Sequence, residues 1–165
     1  MPQLKRITLD TNVLPADDLL RSVPEGTCEF AVISVTEDET AGTGIAVSLR
    51  SLERVPELLG YGQGPYGAHA YGGVPDKECC KTALTIISNG ALSDPFNHAT
   101  LTDGERRQQR DAVIMCTHVR DQRDIFVTND VRGFIRGGRR EQLQAAFRTT
   151  IMTRDEFMAA FSTVQ

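Results

Sequence analysis

Apolar positions in this chain fall into short β-branched runs that alternate with longer runs of helical spacing. The first is LKRITLD, which predicts a strand running into Asp10. In the following TNVLPADDLLRSV, Pro15 suits a first helical turn and Leu19 and Leu20 continue an apolar face. EFAVISVT is continuously apolar, as a buried parallel strand would be. It leads to Thr36-Glu37-Asp38-Glu39, where Thr36 and Glu39 have the spacing of a capping box at a helix start. In the last third, LTDGERRQQRDAVIMCTHVRDQ predicts a helix, with Thr102 and Glu105 as capping box and Val113, Ile114, Cys116 and Val119 at apolar spacing. DIFVTND is a strand ending in polar residues, IRGGRR a loop, EQLQAAFR a helix and TTIMT a short strand. RDEFMAAF closes the chain as a helix that Thr153 or Asp155 can cap.

The middle of the chain is patterned differently. LGYGQGPYGAHAYGGVP is rich in Gly and Tyr and reads as loop, too long for a casual connection within a compact domain. We read residues 1–165 as a single domain with a Gly/Tyr-rich loop or insertion at about 60–104. KTALTIISNG is either a helix ended by Gly90 or a strand, since periodicity does not decide over so short a run. Alternating strands and helices predict an α/β fold with a mainly parallel central sheet flanked by helices. In such sheets ligands bind outside the carboxyl ends of the strands.

Three of the apolar strands end on acids or lead to them: ITLD at Asp10, FAVISVT toward Glu39, and DIFVTND at Asp130. In a parallel sheet these ends share one edge, and Asp111 joins them if its helix begins there. Convergent carboxylates repel one another in a low-dielectric cleft. Divalent cations are the natural compensation, and carboxylate oxygens suit Mg²⁺ or Mn²⁺. Two such ions can activate water and stabilise the leaving oxygen in phosphodiester cleavage. Each acid alone has a plainer reading as a turn residue or helix cap, but capping does not require acids at successive strand ends.

Composition narrows the picture. A chain of 165 residues, 40% hydrophobic and 24% charged, suits one soluble domain. No apolar run approaches the ~20 residues of a membrane helix, and MPQLKRITLD lacks the apolar core of an export signal, so we expect the cytoplasm and no membrane partner. The net charge of −4 provides no global pull toward nucleic acid, although an acidic centre can be offset locally by metal. Cys28, Cys79, Cys80 and Cys116 form no C-x-x-C pair and read as reduced, unpaired thiols, with Cys116 on the buried face of a helix. A zinc site from Cys79, Cys80 and His98 matches no standard spacing.

The motifs LDTNVL at 9–14, VTEDE at 35–39, RDAVIM at 110–115, FVTNDVRGF at 126–134 and IMTRDEF at 151–157 bracket nearly the whole chain. In them the chain resembles the PIN-domain family, which includes the VapC-type toxin ribonucleases. The resemblance implies the PIN fold, a Mg²⁺ or Mn²⁺ cofactor, and endoribonuclease cleavage of single-stranded RNA, with a toxin of a toxin–antitoxin pair as one setting. It carries the family's four catalytic, metal-binding acids to Asp10, Glu39, Asp111 and Asp130, and supporting roles to Asn12 and Thr128. Glu37 and Asp38 stand beside Glu39; Glu39 is preferred because its offset from Thr36 fits the family, with Glu37 the alternative. Many relatives carry a further acid where this chain has Arg132. The expected partners are RNA, single-stranded or structured, an inhibitory antitoxin, and a second copy in a homodimer.

Arg136, Arg139 and Arg140 flank two glycines after the Asp130 strand, and Arg106, Arg107 and Arg110 form a second basic cluster. Arg110, Arg136, Arg139 and Arg140 are the candidates for phosphate contact, against a reading as solvated surface charge. Tyr61, Tyr66, Tyr71 and His69 of the Gly/Tyr-rich loop are of the types that stack on bases. Two rivals remain. A haloacid-dehalogenase-like phosphatase wants a second Asp where Asn12 stands, and a downstream Lys. A catalytically inactive PIN-like module that binds RNA or protein has no use for the acids.

Overall fold

The computed structural model describes residues 4–33, 52–56, 77–94 and 100–162. Five strands form one sheet: β1 Lys5–Leu9, β2 Cys28–Ile33, β3 Glu53–Val55, β4 Ile125–Val127 and β5 Thr150–Met152. Their order is β3-β2-β1-β4-β5 and every pairing is parallel. Among the described residues five α-helices accompany them: α1 Asp17–Ser22, α2 Lys77–Ile87, α3 Asp103–Arg120, α4 Arg139–Phe147 and α5 Arg154–Phe161. No described helix is long and apolar enough to cross a membrane.

Strand side chains alternate between two apolar layers, as the pleat requires. Ala31, Ile33, Phe126 and Ile151 pack on one face with Leu84 and Ile87 of α2, Met115 of α3 and Leu143 of α4. Ile7, Leu9, Val32, Ile125 and Val127 pack on the other with Leu19 of α1 and Phe157 of α5. Both faces are covered, which is why the central stretches Ala31–Ile33 and Ile125–Val127 are apolar at every position.

Two helix starts follow local sequence closely. Thr102 Oγ1 accepts from the Glu105 N–H at 3.3 Å while the Thr102 N–H donates to Glu105 Oε2 at 2.7 Å. Thr153 and Glu156 repeat the device at α5, so Thr153 rather than Asp155 is the cap. Such a cap contributes about 1 kcal/mol.

Two sequence expectations change, one open reading is decided, and one strand was not foreseen. Pro15 precedes α1 instead of opening it, because Asp10 turns the chain into a short 3-10 segment, Thr11–Val13, before the helix begins at Asp17. Of the two readings left open for KTALTIISNG the helix is found, ending at Ile87 with Gly90 in the left-handed region just beyond it. Cys79 and Cys116, expected as unpaired thiols, form a disulfide because α2 and α3 pack side by side with these Cα atoms 5.8 Å apart. β3 carries no strand signal, as Val55 alone of its residues is buried. The Thr36–Glu39 segment, His98 and the Gly/Tyr-rich loop with Tyr61, Tyr66, His69 and Tyr71 lie outside the described residues.

Candidate functional site

Parallel register decides what stands beside Asp10. Leu9 pairs with Val127, so the residues that follow, Asp10 and Thr128, emerge side by side at the carboxyl edge of the sheet. The Asp10 N–H continues the ladder to the Val127 carbonyl at 3.0 Å, and the Thr128 N–H does the same to Met152 at 2.9 Å.

The Asp10 side chain is buried and surrounded by donors. Its Oδ1 accepts from the Thr11 N–H at 2.8 Å, which starts the 3-10 turn. Its Oδ2 accepts from the Thr128 hydroxyl at 2.6 Å and the Asn12 amide at 2.7 Å. Hydrogen bonds to a carboxylate are the stronger kind. A threonine hydroxyl has one proton, and here it goes to Asp10, leaving the oxygen to accept the Asp130 N–H at 3.0 Å. Thr128 thus ties the first and fourth predicted acids together. Asn12 Oδ1 accepts the Asn129 N–H at 2.6 Å, so Asn12 bridges the same two loops.

Asp130 caps a single wide helical turn, Val131–Ile135, closed by the Arg136 N–H on the Val131 carbonyl. Its Oδ1 accepts from the Arg132 and Gly133 N–H groups at 3.0 and 2.9 Å. No described residue donates to its Oδ2, which faces the space beside the Gly133 Cα. Asp111 arrives at the same place from the middle of α3, not from its start as the sequence suggests. A Cβ at position 133 would lie 2.6 Å from Asp130 Oδ2 and 3.2 Å from Asp111 Oδ2. The two carboxylates therefore converge on one point. Asp10 is linked to the Asp130 backbone through Thr128. Among the described residues, no three His, Cys, Asp or Glu side chains are grouped to hold a metal ion. Glu39 and its alternative Glu37 lie outside the described residues.

The arginines divide. Arg139 Nε donates to the Ile87 carbonyl at 2.9 Å, closing the end of α2, and its Nη1 reaches the Arg136 carbonyl at 3.2 Å. Arg140 Nη1 meets both carboxylate oxygens of Glu156, at 2.9 and 3.0 Å. That contact and the capping bonds hold the Glu156 carboxyl below the usual range. Arg110, Arg132 and Arg136 are exposed on the described surface.

Sequence reasoning missed Asn129, Gly133 and Arg154. Asn129 Oδ1 accepts the Arg154 N–H at 3.1 Å, joining the β4 loop to the start of α5. The Arg154 guanidinium reaches the Val13 and Pro15 carbonyls at 3.0 and 3.2 Å and pairs with Asp18. The signal was present in TND and TRD, where polar residues directly follow two strands.

The opposite edge of the sheet carries a different polar cluster. Arg123 is buried, yet its Nη1 lies 3.1 Å from Asp121 and 3.3 Å from both Glu29 and Glu53. Its Nη2 donates to the Ile7 and Glu29 carbonyls. A cavity of about 500 Å³ lined by Lys5, Arg123, Asp124, Arg148 and Thr149 opens at this edge, away from the acids. His118 lies fully buried between the Thr8 and Thr149 hydroxyls, at 2.8 and 2.7 Å. Burial, followed by the charge of Arg123, pushes its pKa down from 6.5 to about 3. His118 is therefore a neutral structural link between α3 and β1.

Comparison with known proteins finds no matching family model, no matching curated protein and no matching solved structure.

Proposed function

We propose that this protein is a divalent-metal-dependent endoribonuclease that hydrolyses single-stranded RNA at the acidic edge of its sheet, as the PIN-type resemblance implies. The observation that carries the reading is the convergence of Asp111 and Asp130 beside Gly133, with Asp10 joined to the Asp130 backbone through Thr128. The residues suit the group. Mg²⁺ keeps several of its waters and takes one or two carboxylates from the protein, so the two converging acids suffice for one ion without a full cage of side chains. Asp111 and the open Oδ2 of Asp130 would hold it. When bound, the cation supplies charge neutralisation and Lewis-acid assistance to attack on a phosphodiester.

The protein's own part is orientation. Thr128 and Asn12 fix the plane of the Asp10 carboxylate against the edge. The wide turn after Asp130 fixes that side chain through two backbone N–H groups. Arg132, exposed within this turn, and Arg136, exposed just after it, would meet RNA phosphates. Arg139 and Arg140 already have protein partners, so their share in RNA contact is the smaller one.

The test is cleavage of a single-stranded RNA in Mn²⁺ and in chelator, with melting temperature read in both. Cleavage and a higher melting temperature in Mn²⁺, both lost in chelator, are expected. Equal cleavage in chelator overturns the metal chemistry. Mn²⁺ binding without cleavage of any RNA turns the reading to the inactive binding module. Glu39→Gln should abolish cleavage while Glu37→Gln is nearly silent; the reverse result moves the second acid to Glu37.

A further inference from the structure

We propose that Gly133 is a positioning residue for the divalent cation: its missing side chain is the space in which the Asp111 and Asp130 carboxylates converge. The inference rests on the metal-dependent reading above and adds a residue outside the four acids.

Gly133 is buried, and its backbone is not left-handed, unlike Gly26, Gly90, Gly137 and Gly138 among the described residues. Conformation therefore does not call for glycine here; room does. A Cβ would stand 2.6 Å from Asp130 Oδ2, 3.1 Å from Asp130 Cγ and 3.2 Å from Asp111 Oδ2. The first is closer than non-bonded carbon and oxygen tolerate, so something must move.

The backbone has little freedom to retreat. Phe134, the next residue, is fully buried and packs edge-on against Phe126 with ring centroids 5.0 Å apart. The carboxylate of Asp130 is the part that gives, and it is itself held by two N–H groups through Oδ1. An added methyl thus forces Oδ2 away from the point it shares with Asp111 and strains the cap. Changes that misorient a ligand without removing it commonly weaken metal binding by about 10- to 100-fold.

The experiment has two arms. In chelator, melting temperatures are measured for the parent, Gly133→Ala, Asp130→Ala and the double variant, with Gly104→Ala as control. A Cβ at Gly104 has its nearest neighbour at 4.0 Å, so that change should be tolerated. Gly133→Ala should lower the melting temperature, and adding Asp130→Ala should recover much of the loss, because it removes the clashing group. The double variant also keeps the test readable should Gly133→Ala alone fail to fold. Purely additive losses overturn the assignment of Gly133. In the second arm, Mn²⁺ affinity is measured by calorimetry for the parent and Gly133→Ala. A loss of about tenfold or more supports the inference. Parent-like affinity in Gly133→Ala overturns it while the metal-dependent reading stands. A parent that binds no Mn²⁺ overturns that reading and the metal role of Gly133 with it, and non-additivity in chelator then identifies the glycine as a packing residue alone.

Discussion

Replacing His118 by glutamine tests whether the link between α3 and β1 acts through an uncharged imidazole. The ring has no exposure, sits between two hydroxyls, and meets the edge of Phe126 at a centroid distance of 5.6 Å. The folded protein holds its pKa near 3 against an ordinary value of 6.5. A folded pKa below the unfolded one means that only the unfolded chain takes up the proton as pH falls through 6.5. The contribution of His118 is therefore complete above about pH 6.5 and is lost progressively toward pH 3. Each unit in that window is worth about 1.4 kcal/mol. Between pH 7.5 and pH 5.0 the parent should lose about 2 kcal/mol from this residue.

Carboxyl groups held low by partners, such as Asp18, Glu29, Glu105 and Glu156, lose their contributions as pH falls through ordinary values of 3.8 to 4.5 and lower, beneath the assayed span, and they are common to both proteins. The assay is urea denaturation of parent and His118→Gln at both pH values, comparing the change with pH and not the absolute stability. The variant's loss should be smaller than the parent's by about 2 kcal/mol. Equal losses in the two proteins, or no loss in the parent, would refute the reasoning.

Asp10→Asn should slow RNA cleavage at least about a hundredfold. Its amide must point at Thr11 or at Thr128 and Asn12, all donors, so stability in chelator should fall by about 1 kcal/mol despite any relief of charge repulsion; parent-like cleavage would remove Asp10 from the site. Arg123→Met leaves Arg6 alone to offset Glu29 and Asp121 and strips the Ile7 and Glu29 carbonyls of a donor, and a loss of about 2 kcal/mol is expected in urea titration. Replacing both Cys79 and Cys116 by serine opens a loop that spans 37 positions and should cost about 2 to 4 kcal/mol, read as a shift of the urea midpoint that a dithiol reductant reproduces in the parent.

What could be read from the sequence was what neighbouring residues decide among themselves. Thr102 with Glu105 announces the start of α3 because the cap is closed within one turn. ITL, AVI and IFV announce strands because a sheet covered on both faces favours β-branched and apolar residues at its centre. Alternation of strands and helices then implies parallel pairing, and parallel pairing implies that Asp10 and Asp130 leave the sheet at one edge.

Tertiary structure alone decided which of those residues meet. Asp111 reaches Asp130 only because α3 lies across the sheet at a height that brings its middle, not its first turn, over Gly133. The same packing sets Cys79 against Cys116, His118 between Thr8 and Thr149, and Arg123 among three acids from separate parts of the chain. Arg139 and Arg140 look alike in sequence, yet one closes a helix end and the other grips Glu156. Local propensity acts over a turn or a strand, whereas these contacts join residues up to about a hundred positions apart through the shape of a close-packed interior. That shape belongs to the whole chain, so the acids could be foreseen one by one while their meeting at a glycine could not.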